Sequence, residues 1–260
     1  MHVKAMKWLL IVALVFVTSA CESQQSKRSA SQAEPLSSLR VGISRTFPPL
    51  IYTDGDKTVG MEADFALALG ETLGRDVRFV PMYFPNLIYE LEDHRIDIVM
   101  SGLSVTPERL QRVAFTKPYL VIGQQALIRQ PDRDEFSDKD AVQKTSRRVG
   151  VENDSTGHQF ARMNLRNAQV MPFGSVDLAV QALLARTVDV VISDSPSVSW
   201  QAQQAEAGLL SLVPGTFTQE TLAWAISQDN EKLLHEVNDI IADWQTSGRM
   251  DEIINRWLIK

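Results

Sequence analysis

The chain has 260 residues, of which 44% are hydrophobic and 22% charged, an ordinary composition for a globular protein and a length sufficient for two lobes. Its net charge of −6 becomes −8 without Lys4 and Lys7, which fall in a segment expected to be removed. An acidic chain with no basic stripe excludes nucleic acid as a partner and offers nothing to an anionic membrane face.

Residues 1–20 have a basic start, the apolar run 8–17, and then small residues. This is the pattern of an export signal; the run is too short to span a bilayer, which takes about 20 apolar residues. Cys21 is the only cysteine, so an internal disulfide or a cysteine-based metal site is excluded. Following Thr18-Ser19-Ala20 it resembles a bacterial lipobox, with Thr18 where Leu or Val is usual. The expectation is cleavage before Cys21 and lipid on its sulfur; a plain signal-peptidase site beside a chance cysteine is the alternative. Residues 22–38 are rich in Ser and Gln, with almost no apolar content to bury in a core, so 21–38 reads as a lipidated cysteine and flexible tether.

Strands and helices then alternate. Residues 39–44 read as a strand, and Phe47-Pro48-Pro49 as extended, since each proline restricts the residue before it. Residues 50–53, the turn Asp54-Gly55-Asp56 and residues 58–61 suggest a hairpin. A helix is expected over 62–73, with Phe65, Leu69 and Leu73 on one face, then a strand at 77–80, a helix at 85–92 and a strand at 96–100.

That strand feeds Ser101-Gly-Leu-Ser-Val-Thr-Pro-Glu-Arg109. Thr106 can cap the following helix, and Pro107 suits its first position because the missing N–H would have had no partner. Gly102 leaves backbone room and Ser104 adds a hydroxyl. With the free N–H groups of the helix start and the forked guanidinium of Arg109, they would form an anion receptor best suited to a carboxylate. The plain alternative makes Arg109 a solvated helix charge and Ser104 a turn residue. The stretch also begins like a nucleophile elbow, but Thr106 stands where glycine is required, so that match is discarded.

After an apolar stretch to Arg129, the polar stretch 130–140 marks a lobe change. A second series follows: strand 148–152, helix 157–165, strand 169–172, helix 176–185, strand 188–193 and helix 196–206. Val176, Ala179, Val180, Leu183 and Leu184 form an apolar stripe. Residues 218–226 read as a return strand, 230–246 as a helix ended by Gly248, and 250–258 as a last helix. Two such series imply an α/β protein of two lobes, each a mostly parallel sheet flanked by helices. The boundaries expected are 39–126 with 225–260 for one lobe and 127–224 for the other.

Ligands of open α/β sheets sit beyond the carboxyl ends of the strands. In the second lobe these ends carry Ser155 and Thr156, which can cap a helix or donate to an anion, and Asp194, which can cap a helix or hold a cation. An Arg and an Asp from opposite lobes could hold the two charges of an α-amino acid. Phe47 and Phe84 could wall such a site, although each could equally belong to the core.

Together these motifs resemble family 3 of the extracellular solute-binding proteins, the polar amino-acid binding components of ABC importers. The resemblance covers residues 39–260 and rests on Val41-Gly-Ile with Phe47-Pro-Pro, Gly60-Met-Glu-Ala-Asp64, the stretch from Ile96 to Arg109, Phe115-Thr-Lys-Pro-Tyr119, Val149-Gly-Val to Gly157, Val188-Asp-Val-Val-Ile-Ser-Asp194, and Gly248-Arg-Met-Asp-Glu-Ile-Ile-Asn-Arg-Trp257. It implies a two-lobed, periplasmic-binding-protein-like fold of type II. The implied carboxylate site falls on the Gly102 backbone, Ser104 and Arg109 with Ser155 or Thr156, the ammonium partner on Asp194, and the stacking aromatics on Phe47 and Phe84. Ser44, with Arg45 beside it, stands where binders of cationic or amide side chains often carry Asp, which argues against a cationic ligand. Asp154 stands where glycine is common.

The implied function is extracytoplasmic binding of a free amino acid, by closure of the lobes, and its delivery to the permease of an ABC importer. The expected state is a monomer held by lipid to a bacterial membrane, in the periplasm or at the cell surface. The chain has no phosphate loop, no His-Glu-x-x-His motif and no paired cysteines, so neither an enzyme nor a cofactor nor a metal is expected. Two alternatives share the scaffold. One is a cyclohexadienyl dehydratase with Glu152 or Asp154 as acid; His158, the histidine nearest the proposed cleft, reads as a solvated residue of a first helical turn. The other is a protein that presents its ligand to a separate signalling receptor, because the sequence ends two residues after the last expected helix.

Overall fold

The computed structural model describes residues 38–258, so Cys21 and the expected signal lie outside the described residues. The first sheet has five strands in the order Val77–Pro81, Leu39–Ile43, Ile98–Val99, Ala225–Ser227, Val113–Phe115. The first three run parallel, with Leu39 opposite Val77 and Val41 opposite Ile98, and Ala225–Ser227 is antiparallel to both neighbours. The second sheet repeats the plan: Gln169–Phe173, Arg148–Glu152 and Val190–Asp194 run parallel. Gln124–Arg129 is antiparallel to Val190–Asp194, and Leu210–Leu212 completes the edge. The two-lobed α/β reading is therefore what the chain adopts, with sheets that are mixed: in each, two strand pairings are parallel and two antiparallel.

The lobes are joined where Leu120–Ile122 pairs with Glu220–Leu222. This corrects two expectations. Gln124–Arg129 lies wholly in the second sheet, so a boundary after 126 would cut a strand, and the polar stretch 130–140 belongs inside the second lobe. There it makes a 3-10 turn, Gln130–Asp132, and a short helix, Lys139–Gln143, capped by the Asp138 carboxylate. The expected return strand 218–226 is two strands in two different sheets, Glu220–Leu222 and Ala225–Ser227.

The helices follow from sequence periodicity. Met61–Leu73 buries Phe65 and Leu69 and stops at Gly74, which takes the left-handed conformation that ends helices with little strain. Phe65 sits among Tyr119, Trp224 and Trp244, with ring centroids 5.7, 5.5 and 6.0 Å away. Trp244 comes from Glu231–Ser247, whose first turn is capped by Asn230 and whose end is the left-handed Gly248. In Val176–Leu184 the stripe is buried as expected except at Leu184, which is 43% exposed because it falls off the inward face.

Candidate functional site

In the first lobe, the strand Ile98–Val99 runs out into Ser101 and Gly102. Gly102 has φ 65, and a Cβ there would stand 2.6 Å from the Phe47 ring, so only glycine fits under that wall. Its N–H donates to the Glu62 carboxylate, which also accepts from the Tyr119 hydroxyl at 2.6 Å. Burial pushes Glu62 up to about 7, against the pull of those two hydrogen bonds. Gly102 thus has only its carbonyl left to offer a ligand.

Thr106 caps as expected, accepting from Arg109 N at 3.2 Å. The helix, Pro107–Leu110, is a single turn, so its positive pole adds little and the anion site rests on the guanidinium. Arg109 is not a solvated charge: only 9% of it is exposed. Nη1 donates to the Ser104 carbonyl at 2.8 Å, Nη2 reaches the Asp154 carbonyl of the other lobe at 3.5 Å, and the group lies 5.7 Å from the Phe84 ring centroid. The Ser104 hydroxyl donates to Glu220 Oε2 at 2.7 Å, and Thr218 holds the other oxygen of Glu220 at 2.7 Å.

In the second lobe, Asp194 ends its strand at the N-cap position of Ser195–Gln204, yet its side chain makes no capping bond. Its Oδ1 accepts from Gln124 Nε2 at 2.6 Å, and the same amide nitrogen donates to Thr156 Oγ1 at 3.1 Å. Asp194 is pushed up to about 7 by burial first and by the charge of Glu220 second, while Gln124 and Arg109 hold it down. Ser155 caps the helix Thr156–Asn164: its hydroxyl accepts from His158 N at 3.0 Å and donates to Glu152 O at 2.7 Å. Thr156, whose oxygen only accepts here, keeps its hydroxyl proton for a ligand. Asp154 takes the left-handed φ of 56, which explains why glycine would suit its place. His158 lies in the first helical turn, and its Nδ1 accepts from Asp154 N at 3.3 Å.

Phe47, Phe84, Gly102, Ser104, Arg109, Ser155, Thr156 and Asp194, all eight expected residues, line one space, together with Glu152 and Ser193. It measures about 10 Å³, roughly room for one water, so the walls must part to admit anything larger. Arg109 and Asp194 feel one another's charge, but no ion pair within 4.0 Å joins them among the described residues. A group carrying both charges can therefore come between them. Phe84 and Arg109 also face an outer groove of about 620 Å³, where Asp154 and His158 lie. Ser44 lines neither space; its N–H donates to Ser101 Oγ at 2.8 Å.

Glu62, Gln124, Glu152 and Glu220 were not among the expected binding residues. Glu152 ends a strand just as Asp194 does, so the rule that found one could have found the other. Glu62 was visible in Gly60-Met-Glu62. Gln124 and Glu220 carry no local signal, because their roles depend on which strands the crossing segments meet.

The model of the bacterial extracellular solute-binding proteins, family 3, matches residues 39–260. The L-cystine-binding protein TcyJ of Escherichia coli (strain K12) is 25% identical over 98% of this chain and 94% of its own. An ancestral arginine-binding protein bound to glutamine superposes with a TM-score of 0.80 at 30% identity, over 86% of this chain and 98% of that one. The cyclohexadienyl dehydratase of Pseudomonas aeruginosa is 28% identical over 64% of this chain and 62% of its own. By its motifs, its two-lobed type II architecture and a family match across nearly all of the described residues, the chain belongs to the bacterial extracellular solute-binding proteins of family 3.

Proposed function

We propose that the protein binds a free α-amino acid in the periplasm and delivers it to the permease of an ABC importer. The observation that carries this reading is the pair Arg109 and Asp194: both buried, on opposite lobes, facing one space without pairing to each other. Arg109 and the Thr156 hydroxyl hold the carboxylate, Asp194 and the Gly102 carbonyl hold the ammonium, and Phe47 and Phe84 exclude water, which strengthens both charge pairs. Ser155 acts through the helix start it caps, and Ser104 through the carbonyl that fixes Arg109. Because the charges come from different lobes, the ligand favours the closed form, the shape the importer reads. The names of the cystine-binding and arginine-binding relatives support an amino acid as ligand.

The absence of an acid at Ser44 speaks against a cationic side chain only at that corner, which does not line the cavity. The signal-like start and the lipobox-like residues before Cys21 support anchoring through lipid on its sulfur; incorporation of labelled palmitate that Cys21→Ser abolishes would test the anchor. Binding without catalysis is favoured over dehydration because Asp194 is placed to hold an ammonium, and incubation with prephenate or arogenate would expose an enzyme. A neighbouring sensor-kinase gene in place of permease and ATPase genes would favour a sensory role.

A thermal-shift screen of the mature protein against the twenty amino acids tests the binding itself. One or a few should raise the melting temperature with concentration. Arg109→Ala and Asp194→Ala should each abolish the rise while moving the unliganded melting point little. A large fall without ligand would make both residues structural.

A further inference from the structure

Glu152 lines the same space as the proposed ammonium and carboxylate partners and is 5% exposed. Its main-chain oxygen accepts from Ser155, but its carboxylate has no hydrogen bond and no ion pair among the described residues. Every other ionisable side chain around that space is engaged: Arg109 by the Ser104 carbonyl and Asp194 by Gln124. Burial, and then the charges of Asp194 and Asp177, push Glu152 up to about 8. Asp177 already accepts from Gln201, and among the described residues no cation lies within salt-bridge distance of Glu152.

Charge accounting gives this carboxylate a meaning. The residues lining the space carry one cation, Arg109, and two acids, Asp194 and Glu152. A zwitterionic ligand neutralises Arg109 and Asp194 and leaves Glu152 over. A buried carboxylate without a partner is unfavourable unless it takes a proton or meets a positive group.

Resting on the amino-acid reading above, we propose that Glu152 is a specificity-determining residue and that the ligand's side chain carries a cationic nitrogen that pairs with it. Because Glu152 belongs to the second lobe, the side chain is read as the lobes close, and a cationic ligand favours the closed form through two acids of that lobe rather than one.

Titration calorimetry at neutral pH with L-lysine, L-ornithine, L-arginine, L-glutamine and L-norleucine tests this in the wild type and in Glu152→Gln. At least one cationic amino acid should bind the wild type tenfold or more tighter than glutamine and norleucine. Glu152→Gln should erase that preference while still binding the neutral amino acids. A wild type that prefers the neutral ligands, or a variant that keeps the cationic preference, overturns the role of Glu152 and leaves the amino-acid reading standing. Should Glu152→Gln fail to fold, the wild-type preference decides alone. If neither this panel nor the twenty-residue screen shows any binding, the amino-acid reading itself falls, and the role of Glu152 with it.

Discussion

The Asp194 carboxylate is held by one strong donor, the Gln124 amide at 2.6 Å, which fixes where it points and leaves its charge unmatched. Burial keeps it protonated to about pH 7, well above the ordinary carboxylate range. An ammonium needs the ionised form, so below that value binding must first expel a proton. For a neutral amino acid, whose side chain leaves Glu152 alone, affinity should therefore be level above about pH 7 and fall by up to tenfold for each pH unit below it, down to about pH 5, whereas a ligand that also pairs with Glu152 should begin to weaken below about pH 8. Calorimetry across pH 5 to 8 checks this, and a flat profile would remove Asp194 from the ammonium site. The Gln124 Oε1 atom is buried without a partner, and a Cβ on Gly157 would stand 2.7 Å from it. Glycine at 157 leaves the amide the space it needs beside Thr156.

At the scale of elements, the carboxyl ends of two strands and two tight turns place the chemistry. The Gly102 turn is tied from behind by Glu62, which Tyr119 holds in turn. Tyr119→Phe would remove one of the two donors to a fully buried acid and should cost about 1–3 kcal/mol in chemical denaturation. Its melting temperature should still rise with ligand, since Tyr119 does not line the cavity; loss of that rise would show that the turn depends on this bond. The elements that bury a regular apolar face were legible, as with Met61–Leu73, Arg148–Glu152 and Glu231–Ser247. Those set by partners were not. Leu210–Leu212 is a strand because Gln124–Arg129 offers it an edge, and Lys139–Gln143 is short, set by the Asp138 cap and by a single core residue, Val142. The sequence marks Arg109, Ser104 and Asp194 by their places at strand and helix ends. It does not show that the Ser104 hydroxyl is taken by Glu220, which lies 116 residues away in the return crossing.

Across the whole molecule, two sheets of one plan are tied by a two-stranded crossing, so parting and closing about Leu120–Ile122 and Glu220–Leu222 can leave both sheets paired, while the buried apolar contacts that run from Phe47 of the first lobe to Val176 and Ala179 of the second must separate. Contact between the lobes is not confined to the ligand space: Tyr52 of the first-lobe hairpin meets Trp200 of the second lobe with centroids 5.7 Å apart. The ligand space itself is lined by acids in excess of cations, in keeping with the charge of −6 of the whole chain. Holding one small molecule by both its charges is the claim on which the function depends. It is tested most directly by calorimetry of the best-binding amino acid against its N-acetyl and carboxamide derivatives, which lack the ammonium and the carboxylate charge respectively. Each derivative should bind at least tens of times more weakly, as expected when one partner of a buried charge pair is removed. Derivatives that bind as tightly as the parent amino acid would contradict the account.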